Sequence, residues 1–144
     1  MDSTKNAATA ELLKGECSFA AARNDDVLYS LKGKGVGPFL EIFERDPKAL
    51  EGCDIADTVI GKAAAMLCGL AGVKSVYGIV MSENAMIFLK QHEIAFSYGE
   101  SAPFIQNRTG TGLCPLEQSV FEIDDPKEGI RALKETIKEL MKGG

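Results

Sequence analysis

Residues 54–72, DIADTVIGKAAAMLCGLAG, decide the fold of this 144-residue chain. Ala56, Val59, Ile60, Ala63, Met66, Leu67 and Leu70 recur at three- and four-residue spacing, which places them on one helical face. The pattern predicts one central helix from Asp54 to Gly72, with Asp54 as its N-cap, Asp57 as a negative charge in its first turn and Gly72 as its stop. The other face, Gly61, Ala64, Ala65 and Cys68, is small and carries a single cation, Lys62. Small residues permit close approach by a sheet, a ligand or a second subunit.

Downstream, the apolar, β-branched run Val73 to Met81 predicts a strand covered on both faces, the centre of a sheet. Ser82 then caps a helix from Glu83 to Gln91, whose apolar stripe is Ala85, Met86, Phe88 and Leu89, and Ile94 to Tyr98 gives the next strand. Pro103 to Ile105 and Val120 to Ile123 are expected to be short extended pieces. Asp125-Pro126-Lys127-Glu128 opens a last helix with a cap, a proline at its first position and an early acid, and Ile130, Leu133, Ile137 and Leu140 form its stripe. Upstream, Cys17 to Arg23 and Val27 to Leu31 flank an Asn24-Asp25-Asp26 turn and read as a hairpin. A short helix follows Pro38, and residues 1–15 read as a frayed segment before a single domain over 16–144, with a short helix beginning near Glu11. Strands joined by helical crossovers run parallel, so the expected class is α/β with an antiparallel edge.

Composition limits the function. A net charge of -5 argues against a general nucleic-acid surface, which needs clustered cations, although a local pocket can still take a small anion. No run has the length of a membrane span and the start lacks a signal peptide's order, so the expected location is cytoplasmic, with no membrane partner. Cys17, Cys53, Cys68 and Cys114 are widely spaced and read as reduced thiols. His92, the only histidine, lies in a polar stretch, so neither a metal nor a cofactor is expected.

Four places invite a ligand. The glycine-rich loop Lys32 to Pro38 sets Lys34 beside exposed amides suited to phosphate, though it also serves as a plain connection. Gly61-Lys62 lacks the rest of a phosphate-binding P-loop, since Ala63 and Ala56 stand where that motif needs a hydroxyl and a glycine. Lys62 among small residues can nevertheless reach a pocket. Ser82, Glu83 and Asn84 lie at a strand-to-helix junction beside the one that opens the central helix, where helix ends favour an anionic or carbonyl group; ordinary capping by Ser82 is the alternative. Finally, Asn107, Arg108, Thr109 and Thr111 precede Cys114-Pro115. If Pro115 starts a helix, Cys114 caps it and gains thiolate character, which makes it the nucleophile candidate, although free cysteines are commonly inert.

Residues 27–37, 54–65, 80–85 and 107–117, most specifically DTVIGKAA at 57–64 with GTGLCPLE at 110–117, resemble an uncharacterised domain family in the cytidine-deaminase-like superfamily. The resemblance implies a three-layer α/β/α fold with a mixed five-stranded sheet. Zinc deaminases place His or Cys, then Glu, at the start of one core helix and Pro-Cys-x-x-Cys at the start of the next. Here Ile60-Gly61-Lys62 and Ser82-Glu83-Asn84-Ala85 stand instead, so metal-dependent deamination is not expected.

The resulting expectation is a metal-independent enzyme acting on or binding a nucleotide, nucleoside or related metabolite. Lys62 and Arg108 hold an anionic group, with Lys34, Gly61, Ser82, Asn84, Asn107, Thr109 and Thr111 as further ligand contacts. Asp57 or Glu83 transfers a proton, and Cys114 or Lys62 forms a covalent intermediate. The alternatives are a non-catalytic sensor that keeps the pocket, and a homodimer packed through the small face of the central helix.

Overall fold

The computed structural model describes residues 6–106, 110 and 112–143. It shows an α/β fold with one mixed, open, five-stranded sheet and six helices among the described residues. The hairpin forms as β1 (Phe19–Arg23) and β2 (Asp26–Leu31), and Asn24 supplies the turn's left-handed backbone at φ 58°. β1 pairs antiparallel with β3 (Asp54–Ile60), and β3, β4 (Ser75–Ser82) and β5 (Ala95–Ala102) run parallel, giving the order β2-β1-β3-β4-β5.

The expected 54–72 helix is therefore half strand. Ile55, Thr58, Val59 and Ile60 are β-branched, stiff at χ1 and suited to a pleated surface, and Gly61 separates them from the alanine-rich part. Ala56, Val59 and Ile60 only coincide with helical spacing. The helix proper, α3 (Lys62–Ala71), begins after Gly61 and ends at left-handed Gly72. It is central as expected, with α2 (Gly37–Arg45), α4 (Glu83–Gln91), α5 (Pro115–Val120) and α6 (Pro126–Gly143) around it.

Two corrections concern chain ends. The short helix expected near Glu11 within the frayed 1–15 segment begins earlier, as α1 (Ala7–Leu13), held by the Asn6 side chain accepting from the Thr9 amide at 2.9 Å and by burial of Ala8 and Leu12, while residues 1–5 lie outside the described residues. Residues 120–123 are no strand: Val120 ends α5 and is buried in the core. The α6 stripe also fades, since Ile130 and Leu133 are buried while Leu140 is 50% exposed.

The sheet separates two apolar clusters. On one face α1 packs Ala8 and Leu12 against Ala20, Ala22, Ala56 and Tyr77. On the other, α2 to α6 contribute Phe39, Met66, Leu67, Phe88, Val120 and Leu133 to one continuous core with Phe19, Ile55 and Val76. The small residues Ala64, Ala65 and Cys68 are buried within this core, so the face expected to receive a second copy is already covered by the chain itself. No helix among the described residues is long and apolar enough to cross a membrane.

Asp57 consequently occupies mid-strand rather than a helix's first turn. It is 2% exposed; its Oδ1 accepts from the Thr58 amide at 2.8 Å and the Thr58 hydroxyl at 3.4 Å, and Oδ2 has no hydrogen-bond partner among the described residues. Burial pushes its pKa up to about 7, only partly opposed by the bonds from Thr58 and the Val59 amide. An acid whose folded pKa lies above its unfolded value favours folding while protonated. Its contribution is therefore complete below 3.8 and is lost as pH rises through about 7. Stability should fall by up to about 1.4 kcal/mol per pH unit in that window through this group. Urea titrations across pH should show Asp57→Asn losing this slope and gaining on the parent protein at pH 8 relative to pH 5.

Candidate functional site

Because β3, β4 and β5 are parallel, their carboxyl ends share one edge: Ile60 pairs with Met81, and Ser82 with Ala102. The amino ends of α3 and α4 therefore open side by side, where open parallel sheets bind ligands. Each helix end is served from within the chain. At α4 the Ser82 hydroxyl accepts from the Ala85 amide at 3.2 Å and donates to Asn84 Oδ1 at 2.6 Å, the ordinary capping role weighed for Ser82. Glu83 is exposed.

At α3 the partner comes from far along the chain. Glu117 on α5 accepts from the Lys62 amide at 2.7 Å and from the Ala63 amide at 3.0 Å, one bond to each carboxylate oxygen. Its side chain passes over Gly61, where any Cβ would overlap the carboxyl group. Glu117 is 5% exposed, and burial raises its pKa against the pull of those two amides and the Lys62 charge.

Lys62 returns the contact. Its ammonium donates to the Phe121 carbonyl at the end of α5, 3.0 Å away, and lies 3.8 Å from Asp124. A cation at a helix's carboxyl end complements its dipole, so each of the two helices caps the other. Lys62 is 8% exposed and turned away from the space beside Gly61.

That space is a pocket of about 60 Å³ lined by Gly35, Val36, Val59, Gly61, Ala63, Ala64, Ile105, Cys114, Leu116 and Glu117. Cys114 is the N-cap residue of α5, as expected, but its thiol makes no capping bond, and its amide donates to the Ile105 carbonyl at 2.9 Å. Val59 and Ile105 also line a groove of about 280 Å³ completed by Val80 and residues 102–106. Pocket and groove thus adjoin at Val59 and Ile105 as a two-part cleft, and the groove alone comes close to the lower end of ligand-site volumes of roughly 300–1,000 Å³. A larger depression of about 590 Å³ over α5 holds no buried polar side chain.

Of the expected site residues, Gly61 and Cys114 come together, with Glu117 between them. Asp57, Glu83, Ser82 and Asn84 do not line the cleft, and Lys34 faces a separate surface depression of about 330 Å³ beside Lys32 and Glu41, although its neighbour Gly35 reaches the pocket. Asn107, Arg108, Thr109 and Thr111 lie outside the described residues. Glu117 was the residue that pattern reading missed. Cys114-Pro115-Leu116-Glu117 has capping-box spacing, which suggests a local partner for the acid, whereas the actual partner is 55 residues away.

Among the described residues no three His, Cys, Asp or Glu side chains gather as a metal would require, so the donor set does not fit zinc.

Replacing Gly61 with alanine should cost about 1–3 kcal/mol in urea unfolding, the range for overpacking a close contact. Adding Glu117→Ala should relieve part of that cost, a coupling that a double-mutant cycle measures.

The profile of a domain of unknown function, DUF1893 (TM1506), matches residues 7–137. The crystal structure of a DUF1893 family protein, TM1506 from Thermotoga maritima, is similar with a TM-score of 0.82 and 31% identity, over 90% of this chain and 86% of that one. No curated protein matches. Profile, identity and fold agree along nearly the whole chain, which belongs to the DUF1893 family.

Proposed function

We propose that the chain binds a nucleotide, nucleoside or related small metabolite at the carboxyl end of its sheet and acts on it without a metal. The observation that carries this reading is the adjacency of two hollows: a groove with no charged side chain among the described residues shares Val59 and Ile105 with a pocket lined by Cys114 and the buried Glu117. The Phe104 ring, 41% exposed, offers a stacking surface for a flat ring, and the Gln106 amide a hydrogen bond. Cytidine-deaminase-like kinship and a cytoplasmic location belong to the same proposal. The mixed five-stranded sheet and the paired helix openings behind parallel strands support the kinship.

In this mechanism the Cys114 sulfur attacks an electrophilic C=N or C=O carbon. The thiol proton passes to Glu117, and the π electrons move to the heteroatom, which Glu117 then protonates. Glu117 takes the proton-transfer role expected of Asp57 or Glu83. Lys62 acts as a positioning residue, because its ammonium is committed to α5. A binding module without turnover is the second reading, favoured by the engagement of both Glu117 oxygens as a helix cap.

Mass spectrometry of freshly purified protein, native and then denatured, should show a retained metabolite-sized mass. Survival of that mass on denaturation in the parent protein, and its loss in Cys114→Ser, supports covalent chemistry. Retention only in the native state, unchanged by Cys114→Ser, supports the binding module. A bare chain that also shows no thermal shift with nucleosides or nucleotides contradicts both.

A further inference from the structure

We infer that the part of the ligand entering the inner pocket is a hydrogen-bond donor without negative charge, such as an amidine, an amine or a ring N–H, and not a phosphate or carboxylate. The inference rests on the cleft described above and adds the chemistry of the group it receives.

Among the described residues, the positive groups at the two helix openings are already occupied. The Lys62 and Ala63 amides are taken by Glu117, the Ala85 amide is taken by Ser82, and the Lys62 ammonium points to the Phe121 carbonyl. The groove wall is formed by Val59, Val80, Pro103, Phe104, Ile105 and Gln106 and contains no cation among the described residues. What the pocket presents instead is the Glu117 carboxylate. Each of its oxygens accepts one amide, and a carboxylate oxygen accommodates two donors, so capacity is left for a ligand N–H. A second anion beside it would meet like charge in a pocket otherwise lined mostly by apolar side chains, whereas a cationic or neutral donor would favour the ionised form that burial opposes.

Benzamidinium and benzoate, flat molecules of similar shape and opposite charge, separate these cases, with inorganic phosphate as a third probe. Followed by NMR on the full chain, benzamidinium should shift the Lys62 and Ala63 amides and lower the pH at which Glu117 titrates. Glu117→Gln should weaken that binding at least tenfold. Val59→Phe, which enlarges a side chain lining both groove and pocket and retains Glu117, should do the same. Benzoate and phosphate should leave these resonances in place at equal concentration.

Equal or tighter binding of benzoate or phosphate at these amides, or unchanged benzamidinium affinity in Glu117→Gln, would overturn the donor assignment and leave the cleft reading intact. Failure of every probe to move the cleft resonances would overturn the inference together with the cleft reading.

Discussion

The carboxylate of Glu117 on the first two amides of α3 is the contact on which the carboxyl edge of this sheet depends. A helix start leaves amides without intrahelical partners, and the start of α3 is buried beneath α5, away from the water that would otherwise satisfy them. A charged acceptor contributes about 1.5–3 kcal/mol per hydrogen bond, offset in part by its own burial. Glycine at 61 is the condition for that approach, and the bond from Lys62 to the Phe121 carbonyl fixes the other end of α5. The inner pocket, with Cys114 at the opening of α5, takes its shape from this reciprocal arrangement.

The two buried acids are held differently. Asp57 lies within β3 with one oxygen lacking a partner among the described residues, so its surroundings favour the neutral carboxylic acid up to about pH 7. Glu117 is also pushed up by burial, but two amides and the Lys62 charge pull toward the carboxylate. A group balanced between these influences, with one edge on a cavity, is suited to accepting and returning a proton. Among the described residues Asp57 lines no pocket with Cys114, which is why proton transfer is proposed for Glu117.

How much of this was legible in the sequence depended on whether the deciding interaction was local. The helix Glu83–Gln91 follows from the Ser82 cap and the apolar spacing behind it, and both are properties of neighbouring residues. The hairpin turn at Asn24 and the opening of α5 at Cys114-Pro115 are local in the same sense. Over Asp54–Ile60 two periodicities overlapped, and pairing with β1 and β4 decided for a strand; those partners are distant in sequence. Glu117 was hidden for a related reason, since its spacing from Cys114 points to a local cap while the fold delivers it to α3.

Amide hydrogen exchange at Lys62 and Ala63 tests the central claim most directly. Protection should be comparable with the middle of α3 and fall at least tenfold in Glu117→Gln. Exchange in the parent protein as fast as that of the exposed loop amide of Gly33, or protection unchanged in the variant, would contradict it.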